Sequence, residues 1–185
     1  FADKTNFLIK NGLTGIVGPN GCGKSNIVES LRWVMGETSA KSMRGSGMED
    51  VIFSGTSNVT SKNIAEVTVT VKNESNEGPI QFRELDEINV RRKIEKDKGS
   101  KFYINDKEVR ARDAQMFFAD LSTGAHSPSM ISQGRIGALV TAKPTDRRAI
   151  LEEAAGISGL HVRRHEAELR LSAAENNLKR ADELR

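Results

Sequence analysis

Gly18-Pro19-Asn20-Gly21-Cys22-Gly23-Lys24-Ser25 lies between an apolar run, Leu13 to Val17, and a helix-forming segment, Asn26 to Met35. The order predicts strand, loop, helix. Glycine, four intervening residues and then Gly-Lys-Ser is the spacing of a phosphate-binding P-loop. Its glycines let backbone N–H groups curl around phosphate oxygens with no Cβ in the way. Lys24 is placed to reach the β and γ phosphates, and the Ser25 hydroxyl to ligate Mg²⁺. The first turn of the following helix adds unpaired N–H groups and the positive end of its dipole. The ordinary alternative is a chance match in a glycine-rich turn, which the strand-to-helix context disfavours. The pattern predicts nucleotide binding through Pro19, Asn20, Gly21, Cys22, Gly23, Lys24, Ser25 and Asn26. By itself it leaves the nucleoside open.

The chain has 185 residues, enough for one domain with an appendage, and 37% of them are hydrophobic, enough for one modest core. A formal net charge of +3 is weak support for a nucleic-acid partner. Cys22 is the one cysteine, which excludes a disulfide framework and a cysteine metal cluster. His126, His161 and His165 have no metal-ligand company and read as structural or surface residues. No apolar run approaches the roughly 20 residues that cross a membrane. The sequence opens at Phe1 without a methionine, so it reads as beginning inside a longer protein. A reducing, intracellular compartment is expected for a nucleotide-driven protein with one thiol.

Outward from the loop, residues 7–11 read as an edge strand and Leu13 to Val17 as a short buried strand aimed at the phosphates. Ile27, Leu31 and Val34 share one face of the helix from Lys24 to Met35, which Gly36 stops. Lys41 and Arg44 follow closely enough to be candidate nucleotide contacts. Ile64 to Lys72 alternates Val67, Val69 and Val71 with polar residues, a half-buried strand. Strands at Ile88 to Ile94 and Lys101 to Ile104, the latter turning through Asn105-Asp106, predict an antiparallel meander beside a parallel sheet. The fold class is α/β with an antiparallel flank.

Residues 88–112 hold nine basic residues against four acidic ones, an excess larger than the net charge of the whole chain. Two readings stand. One is a solvated hairpin. The other is a sequence-independent, salt-sensitive contact surface for the phosphates of a nucleic acid, with Arg91, Arg92 and Lys93 as candidate contacts. A short helix is expected over 112–118, and another from Lys143-Pro144-Thr145-Asp146. From about Leu160 the chain is free of glycine and proline, and Ala167, Leu171, Ala174, Leu178 and Ala181 repeat at 4, 3, 4, 3. That is coiled-coil spacing, with an amphipathic helix packed on the domain as the alternative.

Together these residues resemble the N-terminal half of the ATPase head of an SMC (structural maintenance of chromosomes) protein, most of all the bacterial chromosome-condensation form. The likeness rests on the P-loop with Asn26, on Arg32-Trp33-Val34-Met35-Gly36-Glu37, on Ser42-Met43-Arg44-Gly45, and on Glu49-Asp50-Val51-Ile52-Phe53-Ser54-Gly55. It also rests on Ile131-Ser132-Gln133-Gly134-Arg135, which matches the Q-loop, and on Arg147 to Ile157, which matches the segment that launches the coiled coil. Met35 and Met43 stand where leucine is commoner, both mild apolar changes.

The resemblance implies an ABC-type P-loop ATPase head. Residues 1–159 would be its N-terminal lobe, with parallel and antiparallel strands around the P-loop helix, and 160–185 the start of a coiled-coil neck. It implies ATP and Mg²⁺ as cofactors. Lys24 would hold phosphates, Ser25 and Gln133 would coordinate Mg²⁺ with Gln133 near the attacking water, and Arg44 would couple head engagement to hydrolysis. The implied partners are the C-terminal lobe of the same head, a second head (a homodimer in a bacterium), a kleisin-type subunit and double-stranded DNA. The implied place is the cytoplasm, at the nucleoid. The signature motif and the catalytic carboxylate of such heads lie in a C-terminal segment outside these residues, so this lobe is expected to hydrolyse ATP negligibly by itself. The competing readings are a DNA-repair ATPase of the Rad50 or RecN type and an ABC transporter nucleotide-binding domain.

Overall fold

The computed structural model describes residues 1–39, 46–73, 82–121, 123–124, 127, 129–132, 134–155 and 157–183. Helix α1 (Lys24–Val34) follows the P-loop. A short 3-10 turn, Met48–Val51, precedes the sheet. Strands β1 (Ile64–Lys72), β2 (Glu87–Glu95), β3 (Gly99–Ile104) and β4 (Lys107–Val109) form one sheet in the order β1-β2-β3-β4, every neighbour antiparallel. Helices α2 (Ala111–Asp120), α3 (Arg135–Thr141), α4 (Pro144–Ala154) and α5 (Ser158–Glu183) complete the chain.

The meander follows from period-two patterning. Ile88, Val90, Arg92 and Ile94 alternate with Asn89, Arg91 and Lys93, and the first set is buried. The link from β3 to β4 turns at Asn105 and Asp106, whose φ values of 47° and 63° fit the two-residue turn whose twist matches a hairpin. The core is the layer between this sheet and two helices. Val34 of α1 and Ala114, Phe117 and Phe118 of α2 pack with Ile88, Val90, Phe102 and Ile104. Trp33, Ile52 and Ile94 form a smaller neighbouring cluster. The Asp50 carboxylate accepts from the N–H groups of Gly47 and Ser46, which hold it below the usual carboxylate range and fix the turn into the sheet.

One expectation is corrected. Residues 7–11 and Leu13 to Val17 carry no strand pairing, and Leu8, Leu13 and Val17 are 80%, 99% and 91% exposed. A strand satisfies its N–H and C=O groups only through a neighbour, and the sheet β1-β2-β3-β4 does not extend to them. The described strands are consequently all antiparallel. Residues 167–180 of α5 are exposed, Leu171 and Leu178 among them.

These burials set an expected contrast. Phe118→Ala should lower the unfolding free energy by about 3–5 kcal/mol, the usual cost of deleting a buried ring. Leu178→Ala should change it by less than about 0.5 kcal/mol. Urea denaturation followed by circular dichroism measures both, and equal effects would contradict the burial pattern.

Candidate functional site

The P-loop is a tight turn with two glycines at positive φ. Gly21 has φ 82°, and Gly23, at φ 90°, is the residue from which α1 starts. An L-residue at Gly23 would be strained in this left-handed conformation, so the sequence supplies glycine where the loop becomes helix. The first intrahelical bond runs from Ile27 N–H to Gly23 C=O, and the N–H groups before Ile27 are those a helix start leaves for an external acceptor. Lys24 Nζ donates to the carbonyls of Gly18 (2.7 Å) and Pro19 (2.5 Å), drawing the two ends of the loop together. Cys22 packs against Gly18 so closely that a Cβ there would sit 2.9 Å from its sulfur. Pro19 to Asn26 are therefore brought together in one turn of backbone. A loop of this shape leaves N–H donors for an anion, with the Lys24 ammonium beside them on the Gly18 and Pro19 carbonyls.

The opposite end of α1 is held by a residue that sequence reasoning misplaced. Arg92, expected at a DNA surface, is 3% exposed. It lies on the inward face of β2, opposite Val67 and Phe102 on the neighbouring strands. Its guanidinium carbon lies over the Trp33 ring (4.5 Å to the centroid) and over the Phe102 ring (4.6 Å). Its Nη1 donates to the carbonyls of Trp33 (2.7 Å) and Glu37 (2.6 Å), and its Nε donates to Ser100 Oγ (2.8 Å). A buried cation at a helix C-terminus meets the orphan carbonyls and the negative dipole end. Burial lowers its pKa to about 10, against the opposite pull of Glu37, so it remains charged at neutral pH.

Two further contacts finish the clamp. Buried Glu37 pairs with Arg32 at 2.9 Å and accepts from Ser39 N–H at 2.9 Å. Gln115 of α2 donates from Nε2 to Gly36 C=O at 2.7 Å. Gly36 has φ 105°, and a Cβ there would fall 2.3 Å from Gln115 Cγ. The signal for Arg92 was present in the chain: Ile88, Val90 and Ile94 alternate, and position 92 falls on the same face.

Arg91 and Lys93 lie on the other face of β2. Arg91 stacks on Tyr103 (4.6 Å) and meets Asp106 (3.0 Å) and Glu66 (3.9 Å). Lys101 pairs with Glu108 and Lys98 with Glu95. Arg91, Lys98 and Lys101 are thus ion-paired, while the excess of basic over acidic residues in 88–112 remains. Arg44 and Lys41 lie outside the described residues, as does Gln133. The residue after it, Gly134, starts α3 at φ 80°. Among the described residues no group of histidine, cysteine or carboxylate side chains is arranged to hold a metal ion. The Ser25 hydroxyl is suited to Mg²⁺ in company with phosphate oxygens, since this ion takes few protein ligands at such sites.

A family model described as "RecF/RecN/SMC N terminal domain" matches residues 1–136. The chain is 56% identical over 184 residues to the chromosome partition protein Smc of Cereibacter sphaeroides, covering 100% of this chain and 16% of that protein. It is 53% identical over 184 residues to Smc of Rhodopseudomonas palustris, again covering 100% and 16%. It therefore spans about one sixth of the length of these relatives. Among solved structures, it is similar to the Smc head domain with an extended coiled coil bound to the C-terminal domain of ScpA from Pyrococcus furiosus. That match has TM-score 0.67 and 31% identity, with 90% of this chain and 41% of that one covered. A second, the SmcHead bound to the C-winged helix domain of ScpA, matches at TM-score 0.68 and 30% identity, covering 76% and 42%.

The two ends of α1 should separate experimentally. Arg92→Met removes the donor to the Glu37 and Trp33 carbonyls, of which Trp33 C=O keeps the Gly36 N–H, and should cost about 1–3 kcal/mol of stability, as for buried acceptors losing a charged donor. Lys24→Ala, at the accessible end, should cost less than about 1 kcal/mol. Urea unfolding of the two variants tests this, and a larger loss for Lys24→Ala would contradict the assignment.

Proposed function

The chain belongs to the SMC family, within the group described as RecF/RecN/SMC, and from that premise we propose that it is the ATP-binding N-terminal lobe of an SMC head. The observation that carries the reading is the P-loop itself, left-handed at Gly21 and Gly23 and opening directly into α1. Residues 1–159 form the lobe and 160–185 begin the neck. Lys24 and the loop backbone hold the phosphates of ATP. Ser25 and Gln133 are assigned to Mg²⁺, Gln133 also to the attacking water, and Arg44 to coupling nucleotide state to head engagement. Bound Mg²⁺ supplies charge neutralisation at the phosphates.

The lobe is one part of a composite site. The exposed, unpaired apolar stretch from Leu8 to Val17 supports a missing neighbour, which we assign to the C-terminal lobe of the same head. That lobe brings the water-activating carboxylate, and a second head brings the surface that closes over ATP. Catalysis by positioning and electrostatics needs these groups assembled. The γ-phosphate would then act as glue between heads, dissolved by hydrolysis. In the whole protein this cycle would act on double-stranded DNA for chromosome condensation and segregation, in the cytoplasm at the nucleoid. Among the described residues no helix is long and apolar enough to cross a membrane. The exposure of Leu171 and Leu178 supports the assignment of α5 to the coiled coil, and the neck it starts is the proposed seat of a kleisin-type subunit. Arg91 and Lys93 remain the DNA-contact candidates. Arg92 is withdrawn because its guanidinium is buried. The Rad50 or RecN type and the ABC transporter domain are less well supported, because the chromosome partition proteins align over the whole of this chain.

Isothermal titration with MgATP tests the core claim. Lys24→Ala should weaken binding by at least about 30-fold, the loss of one strong charge-assisted contact to phosphate. Unchanged affinity in that variant would falsify the P-loop assignment. Turnover is expected to be negligible for the 185-residue chain and, for a completed head, to fall per head on dilution below the dimerisation constant. Specific activity that stayed constant on dilution would remove the two-head requirement. DNA affinity of the full-length protein should drop uniformly across sequences in an Arg91→Gln, Lys93→Gln double variant, with a shallower salt slope. An unchanged slope would leave residues 88–112 as a solvated hairpin.

A further inference from the structure

We propose that Arg92 is a positioning residue for the P-loop, acting through α1 from the end of the helix farthest from the loop. The inference rests on the reading that this loop binds MgATP. The buried residues of α1, Trp33 and Val34, both lie in its last turn, while residues 24–32 are partly or wholly accessible. The helix is therefore anchored at one end and carries the loop at the other.

The anchor has unusual leverage. Eleven residues make a rod about 16 Å long. A tilt of about 5° at the anchored end moves the loop end by about 1.4 Å. Misplacement of about 1 Å can cost on the order of 100-fold in a site that works by alignment. What sets the tilt is the Arg92 guanidinium, which fixes the Trp33 ring by stacking and the Trp33 and Glu37 carbonyls by hydrogen bonds. The Trp33 indole Nε1 is buried without a hydrogen-bond partner among the described residues. Stacking on Arg92, together with apolar packing, is therefore what orients the ring. The same guanidinium holds the backbone at Glu37, from which the chain runs on towards Arg44. One side chain of the sheet thus holds the far end of the helix that carries the P-loop.

The test uses the full-length protein with Arg92→Lys and Arg92→Met. Lysine keeps the charge but cannot lie over two rings while serving both carbonyls. Methionine keeps the stem and removes the charge. Hydrogen exchange at the amides of residues 27–30 should rise about tenfold in both variants, while the amides of Val90 and Phe102 change by less than about twofold. The Kd for MgATP should rise about tenfold for Arg92→Met and about threefold for Arg92→Lys, both measured well below the melting temperature. A purely structural role would lower the melting temperature, with faster exchange confined to residues 33–37 and MgATP affinity within about twofold of the parent. That result in Arg92→Lys overturns the proposal. Should Arg92→Met fail to fold, Arg92→Lys decides. A parent protein that does not bind MgATP overturns the P-loop reading instead, and exchange at residues 27–30 then decides the mechanical claim separately.

Discussion

A guanidinium taken out of water must recover its hydration from the protein, and Arg92 does so with three acceptors and two aromatic faces. Desolvating such a cation costs several kcal/mol, which only near-complete satisfaction offsets. The arrangement constrains everything around it. Ser100 must sit beside β2, the carbonyls of Trp33 and Glu37 must point at the sheet, and the Trp33 ring must lie against the charge. An apolar residue at 92 would tolerate many placements of α1. An arginine tolerates few. Specificity of position, more than net stability, is what this contact contributes.

Around that point the lobe divides by burial. The sheet face and α2 form a dry core in which Phe117, Phe118, Ile88 and Val90 are excluded from solvent. The P-loop, residues 7–17 and residues 167–180 of α5 remain accessible. The order is well suited to a composite machine. The parts that belong to this lobe are fixed by its own core. The parts assigned to nucleotide, to the second lobe and to the neck project from it.

Much of this was legible in the chain because the signals were local. Glycine spacing at 18–23, the helix from Lys24, the alternation of β1 and the Asn105-Asp106 turn each depend on a few adjacent residues, and each appears where expected. Arg92 was misjudged because three consecutive basic residues were taken as one patch, whereas a strand sends neighbours to opposite faces. Residues 7–17 were misjudged for a different reason. Their apolar composition is that of strands, but pairing is a property of two segments, and the second is not in the described sheet. The inward turn of Gln115 onto Gly36 joins positions 79 residues apart, beyond what local pattern records. Arg44 and Gln133 rest on family likeness, and their placement is proposed.

Trp33 is the one tryptophan of the chain, and it is buried at the anchored end of α1 against a cation. An indole in such a setting emits at short wavelength, and its intensity depends on the charge stacked on it. The lobe therefore contains an intrinsic optical gauge of its clamp. Any motion that slides Arg92 off the ring changes the emission of a single, unambiguous fluorophore. Coupling between the sheet and the P-loop helix becomes visible in unlabelled protein, on the time scale of a stopped-flow mixing experiment.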